Sequence, residues 1–142
     1  MTNSQPHIPP GMLMRVIQDK QDKIAYYEQL HKMTSDRQDI DIISTIHKEE
    51  IDHYHTFINL YAHLFGEQPG VLSTALPQIY SFVYGVKNSI RIELDAYDLY
   101  SNIFFTDPNI EVRNAFVRAL TDENRHAAKY TYIFTKLLES RL

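Results

Sequence analysis

Two glutamate–histidine pairs with the same spacing are the residues of this chain best suited to chemistry. Glu50 and His53 lie in EEIDH, and Glu123 and His126 lie in DENRH. Residues three apart share one face of a helix, so a carboxylate and an imidazole can point at a common centre. Glu93, in RIELDAYDLY, adds a carboxylate on the inward stripe of its own helix. Buried carboxylates need a compensating cation, and carboxylate with imidazole suits iron, manganese or zinc. The pattern therefore predicts a metal site.

These candidate ligands belong to an internal repeat with a fixed offset of 73 residues. The two glutamate–histidine pairs match each other at that offset, and no gap is needed. The repeat predicts that each half of the chain is one helical hairpin. The identical pairs are Ile17 with Ile90, Asp22 with Asp95, Tyr27 with Tyr100, Glu50 with Glu123, His53 with His126, and Leu64 with Leu137.

Apolar residues at helical spacing predict four long helices that position these side chains. The predicted spans are about 12–33, a second helix that ends near residue 65, about 78–105, and about 108–139. We expect short links within each hairpin, 12–65 and 78–140, and a longer crossover over 66–77 that holds a short helical turn. One long crossover is typical of a ferritin-type bundle, whereas loops of equal length are typical of a plain up-and-down bundle. Residues 1–11, rich in proline, are predicted to form a flexible arm or an extended lead-in ahead of an all-α domain over 12–142.

Local residues predict where these helices begin and end. Ser35 or Asp36 is a candidate N-cap for the second helix, and Gly66 suits the position that follows its last turn. Asp107 is predicted to cap the fourth helix, with Pro108 at its first position.

Composition and charge exclude several classes of function. The 142 residues carry a formal net charge of −4, which gives no basic surface for nucleic acid. No apolar run reaches the roughly 20 residues that span a bilayer, and no secretion signal is visible at the N-terminus. The chain has no cysteine, which excludes thiolate metal sites and iron–sulfur clusters. We expect a cytoplasmic protein, with a coat- or surface-associated location as the alternative.

Two motifs resemble the rubrerythrin-like branch of the ferritin superfamily. Glu-x-x-Ala-x-x-x-Tyr ends at Tyr100 and is followed by Asp-Glu-x-x-His, while HYHTFINLYAHLFGEQP is similar to small stand-alone members. The resemblance covers roughly residues 12–140. It implies a di-iron or di-manganese centre that reacts with oxygen or peroxide, in a bundle often assembled as a homodimer. Tyr27 and Tyr100 match tyrosines beside the metals, and the matched metal-ligand positions are Glu50, His53, Glu93, Glu123 and His126.

The first helix departs from this family pattern. The repeat offset places Lys20 where the second hairpin has Glu93, and Lys23 where it has Ala96. The chain also lacks the cysteine-bearing rubredoxin segment of full rubrerythrins, and its redox partner is not identified by the sequence. A two-metal site would lose one carboxylate and gain a cation at position 20.

Three arrangements of Lys20 are open at this point. Its ammonium could replace one metal ion and pair with Glu50, Glu93 or Glu123, so that the site holds one metal or none. Its side chain could extend outward to water, which would complete a two-metal site. It could also serve as a proton donor beside a bound metal.

These arrangements leave three functions open. The first is an oxidoreductase with one or two ions of iron, manganese or zinc. The second is a metal-poor or metal-free, non-catalytic descendant that acts as a structural, coat-associated or interaction protein, with Lys20 as an internal counter-ion. The third is metal binding or storage without turnover.

Overall fold

The computed structural model describes residues 2–70 and 73–141 and contains only helices and connections in those residues. The all-α four-helix class predicted from the sequence is confirmed, whereas the repetition of one hairpin in the other stays a prediction. The structure contains no helix, among its described residues, that is long and apolar enough to span a membrane. The helices are α1 (Pro10–Leu30), α2 (Arg37–Phe65), α3 (Phe82–Thr106) and α4 (Ile110–Glu139), with a 3-10 turn at His31–Met33.

The first hairpin begins and ends close to the predicted positions. Helix α1 starts with Pro10 at its first position, two residues before the predicted start, because a proline there gives up no helical hydrogen bond. Of the two candidate caps for α2, Asp36 is the one used, and its carboxylate accepts from the amide of Asp39 at 3.0 Å. Gly66 follows α2 with φ of 72°, the left-handed conformation that favours glycine.

The second hairpin begins later than predicted. Helix α3 starts at Phe82 instead of about residue 78, because the hydroxyl of Ser81 caps it by accepting from the amide of Tyr84 at 3.1 Å. Asp107 and Pro108 were predicted as the start of α4, which is wrong. The side chain of Asn109 caps α4 instead and accepts from two amides of its first turn at 3.0 Å.

The connection between α2 and α3 is accordingly longer than the predicted 66–77. It runs to Ser81, and no helical turn forms in its described residues. Residues 71–72 of the predicted crossover lie outside the described part of the chain. The side-chain amide of Gln18 donates to the carbonyl of Ser73 at 3.2 Å, so the connection passes beside α1.

The N-terminal segment, predicted as a flexible arm, is hydrogen-bonded to the turn between α3 and α4. The carboxylate of Asp107 accepts from the amides of His7 and Ile8 at 3.0 and 2.8 Å. The side-chain amide of Asn109 donates to the carbonyl of Ser4 at 2.9 Å. Ile8 is buried in the core. Asp107 therefore anchors the arm instead of capping α4.

Two apolar clusters fill the bundle and leave a polar layer between them. One cluster contains Ile17, Phe57 and Phe116, and the other contains Ile46 and Tyr130. On each helix, the buried lysine, glutamate and histidine residues fall between positions of these two clusters. The bundle thus places these side chains in one layer, where apolar packing above and below excludes water.

Candidate metal centre

Four of the five predicted metal ligands meet in the polar layer. Glu50 from α2, Glu93 from α3, and Glu123 and His126 from α4 are all buried, and one donor atom from each lies within 4.8 Å of the others. Such a group of buried carboxylates and an imidazole could hold a metal ion. No metal identity follows from this donor set, which suits iron, manganese and zinc alike.

His53, the fifth predicted ligand, lies outside that group of four. Its Nε2 is 2.8 Å from a carboxylate oxygen of Asp122 at the α2–α4 interface. Burial lowers the pKa of His53, and the positive charge of Lys20 lowers it further. His53 is therefore held as a neutral ring beside Asp122.

Two lysines of α1 point into the same polar layer. The side chain of Lys20 has no exposed surface, and Lys23 is only 5% exposed. The Nζ of Lys20 donates to Glu50 Oε2 at 2.7 Å and lies 3.2 Å from Glu123 Oε2. The predicted alternative in which Lys20 extends outward to water is wrong, since its ammonium is enclosed by carboxylates.

Lys23 makes the more central set of contacts. Its Nζ donates to Glu123 Oε2 and, at 3.2 Å, to Glu93 Oε2. It also lies 3.4 Å from Glu50 Oε2. The two ammoniums together contact all three carboxylates of the cluster, through oxygens that a bound metal ion would otherwise use.

His126 joins the cluster through the carboxylate oxygens that the lysines do not contact. Its Nδ1 lies 3.1 Å from Glu50 Oε1 and 3.6 Å from Glu93 Oε1. Its Nε2 lies 3.2 Å from Glu49, which also accepts from Arg125. Both ring nitrogens face carboxylate oxygens, which is the arrangement that an imidazolium with two N–H donors satisfies.

The pKa values follow from this arrangement of charges. Burial alone would lower the pKa of both lysines, but Glu123 and Glu50 raise it above the usual value. Burial would raise the pKa of Glu50, yet Lys20 and Lys23 hold it well below its usual range. The ammonium of Lys23 lowers the pKa of Glu93 to about 2, against the effect of burial. The ammoniums therefore stay charged and keep these two carboxylates ionised.

His126 and Glu123 complete the charge balance. Burial would lower the pKa of His126, but its hydrogen bonds to Glu50 and Glu93 raise it to about 10. Three positive groups then face three carboxyl groups. Burial and the neighbouring charge of Glu50 raise the pKa of Glu123, so Glu123 is the carboxyl that takes up a proton first as the pH falls. The cluster is near neutrality without any further cation.

Tyr27 and Tyr100, which the resemblance places beside the metals, each contact a residue of the polar layer. The hydroxyl of Tyr27 donates to Glu93 Oε1 at 2.7 Å. The ring of Tyr100 lies 5.0 Å from the Nζ of Lys20, within the range of a cation–π contact. Burial raises the pKa of Tyr100 to about 12 and that of Tyr27 well above its usual value, so both tyrosines are neutral.

Sequence reasoning identified Lys20 as inward-facing and did not assign Lys23 to the centre. A signal was present, because residues three apart on a helix share a face and Lys23 stands at the repeat position of Ala96. The repeat also pairs Glu49 with Asp122, but the contacts of these two carboxylates with the histidines were not predicted. They are equivalent at the 73-residue offset, as are the histidines that they contact.

Comparisons with known proteins support the fold and leave the function open. A crystal structure of a conserved hypothetical protein from Mycobacterium tuberculosis matches with a TM-score of 0.73 and 14% sequence identity. The match covers 85% of this chain and 92% of that protein. No protein-family model matches the chain. No curated protein matches it either. At this identity the likeness concerns the helical fold alone.

Proposed function

We propose that this chain is a ferritin-like bundle protein that has lost its metal centre and acts as a non-catalytic structural or interaction protein. The observation that carries the proposal is the pair of buried ammoniums of Lys20 and Lys23 within the carboxylate cluster. They contact the oxygens that a pair of divalent ions would need. Cytoplasmic location and homodimer assembly, both expected from the sequence, are part of the proposal.

The charge of the cluster supports a metal-free state. A site with four carboxylates and two imidazoles is built to bind two divalent ions. Here one carboxylate is replaced by Lys20, a second cation is added by Lys23, and His53 pairs with Asp122. Adding a divalent ion to this group would place its charge within a few ångströms of two ammoniums, which is costly in a buried site.

Metal binding with oxidoreductase activity is the second candidate, and two observations favour it. Oε1 of Glu123 is buried, makes no hydrogen bond within the described residues and lies 3.7 Å from His126 Nδ1, so it is available to bind a metal. The contact of His126 Nε2 with Glu49 is the type of outer contact that orients a metal-bound histidine. A metal held by Glu50, Glu93, Glu123 and His126 would supply Lewis-acid or redox chemistry. This chain would first have to turn both lysines out of the cluster.

Metal content distinguishes the two candidates. The protein is produced with iron and manganese supplied, and its metals are quantified by elemental analysis beside Lys20→Glu/Lys23→Ala, which restores the residue types of the second hairpin. We expect the native protein to hold well below one ion per chain and the double variant to approach about two. Lys48→Glu/Lys87→Ala, at two exposed lysines, controls for the change of net charge and should remain metal-free.

Two results would overturn the proposal. One is a native protein with one or two tightly held ions per chain. The other is consumption of peroxide by the native protein with a chemical reductant, at a rate above that of Lys48→Glu/Lys87→Ala freed of metal. Sedimentation equilibrium tests the homodimer separately, and a concentration-independent monomer would remove that part of the proposal.

A further inference from the structure

A cavity of about 410 Å³ lies between α1 and α3, next to the polar layer. Its apolar wall is formed by Tyr26, Ile92, Leu99 and Tyr100, and small Ala96 leaves room between them. Cavities of this size, mostly apolar with a few polar groups, are typical of sites for small organic molecules. The cavity adjoins the carboxylate cluster at Lys23, which lines the cavity and directs its Nζ to Glu93 and Glu123.

Three carboxylates stand around this apolar wall. Asp19 and Asp22 line the cavity from α1, and Asp95 lines it from α3. The contacts of Asp22 with Gln18, at 2.9 Å, and of Asp95 with Arg91, at 3.0 Å, each engage one carboxylate oxygen. Asp19 is half exposed and lies 3.6 Å from the guanidinium of Arg15, and partial burial raises its pKa.

The two cationic residues that line the cavity already contact other side chains. Lys23 directs its ammonium to the carboxylates of the polar layer. The guanidinium of Arg91 donates to Asp95 and, at 2.7 Å, to the side-chain oxygen of Asn88. The cavity therefore presents negative charge next to aromatic faces, a combination that attracts organic cations and disfavours anions.

We propose that the α1–α3 cavity is a binding site for a small organic cation, namely a primary ammonium with an apolar or aromatic body. The ammonium lies between Asp22 and Asp19, and the body packs against Tyr26, Leu99 and Tyr100. The proposed ligand is a free small amine of this class. Lys23 lines this cavity and also contacts the carboxylate cluster, so the proposal rests on the metal-free function, which the metal analysis tests separately.

Phenethylammonium is the probe, added to the full-length protein labelled with 15N. Phenethyl alcohol and 3-phenylpropionate carry a similar body with neutral and negative groups. We expect the ammonium to shift amide signals centred on the α1 and α3 residues of the cavity. Its affinity should be at least about fivefold above that of the alcohol, because one partly exposed charge pair contributes on the order of 1 kcal/mol. The carboxylate should produce no shifts in these residues.

Variants test the assignment of the site. Asp22→Asn should lower the affinity about fivefold. Ala96→Leu fills the cavity and should abolish binding. Asp98→Asn makes the same charge change on the exposed face of α3, outside the lining residues, and should alter the affinity less than about twofold.

Three outcomes would overturn the proposal. They are equal shifts with all three probes, shifts that lie away from α1 and α3, and unchanged binding in both Asp22→Asn and Ala96→Leu. Circular dichroism confirms that each variant is folded. If Ala96→Leu does not fold, Asp22→Asn compared with Asp98→Asn still decides the question.

Discussion

Replacing Lys20 by methionine removes one buried ammonium while leaving a side chain of similar length. The structure sets the size of the effect. The Nζ lies 2.7 Å from Glu50 and 3.2 Å from Glu123. At an effective dielectric constant of about 20, each contact contributes roughly 5–6 kcal/mol before the desolvation cost of several kcal/mol per ion. Loss of one partner from such a buried group costs about 3–5 kcal/mol, a large share of a typical stability of about 5–15 kcal/mol.

The assay is urea unfolding of Lys20→Met followed by circular dichroism, with thermal unfolding alongside. For a chain of 142 residues, that loss lowers the melting temperature by roughly 10–15 °C. The exposed Lys48→Met is the matched control and should change stability by less than about 0.5 kcal/mol. The deficit of Lys20→Met should shrink toward pH 5, because Glu123, whose pKa is raised, takes up a proton and removes the excess negative charge.

A double-variant cycle isolates the charge pair from simple loss of packing. Glu50→Gln removes the carboxylate that Lys20 contacts most closely. If the pair is coupled, Lys20→Met/Glu50→Gln is less destabilised than the sum of the single variants by at least about 1 kcal/mol. A cost below about 1 kcal/mol for Lys20→Met, or strict additivity in the cycle, would refute the enclosed ion cluster.

Three further predictions concern His126, the arm and a tight helix contact. The raised pKa of His126 gives stability that is present below pH 6.5 and lost as the pH rises toward 10. Urea unfolding between pH 7 and 9 should therefore show a fall in the free energy of unfolding of up to about 1.4 kcal/mol per pH unit. His126→Gln should not show this fall. Asp107→Ala removes the acceptor of the arm amides and should cost about 2–3 kcal/mol, with faster amide exchange over residues 7–8 as the direct readout. A Cβ at Gly85 would lie 2.5 Å from Leu30 Cδ1, so Gly85→Ala should destabilise by about 1–3 kcal/mol, whereas Gly11→Ala, which meets nothing within 4 Å, should stabilise slightly.

The helices could be predicted because apolar spacing and caps are local signals. Asp36 and Gly66 stand at the two ends of α2, where the sequence placed them. The start of α4 was misjudged because Asp107 and Asn109 are both good caps, and only the position of the N-terminal arm decides between them. The carboxylate of Asp107 accepts from residues about 100 positions away, which no local pattern can indicate.

The site could be predicted in part for a similar reason. Spacing and the repeat brought Glu50, Glu93, Glu123 and His126 to one centre, which the structure confirms as a buried group. Spacing cannot show which atoms a buried cation will contact. The place of the second ammonium, that of Lys23, in the cluster was therefore known only from the structure. The turn of His53 toward Asp122 depends on the separation of α2 from α4, which is a property of the packed bundle.

Crystals of the native protein grown with ferrous and manganous salts would test the metal-free state of the polar layer, through anomalous diffraction at the iron and manganese absorption edges. We expect no anomalous peak among Glu50, Glu93 and Glu123, with side-chain density for Lys20 and Lys23 ending in ammoniums that contact those carboxylates. A strong anomalous peak bound by the glutamates and His126, with both lysine side chains turned away, would contradict it.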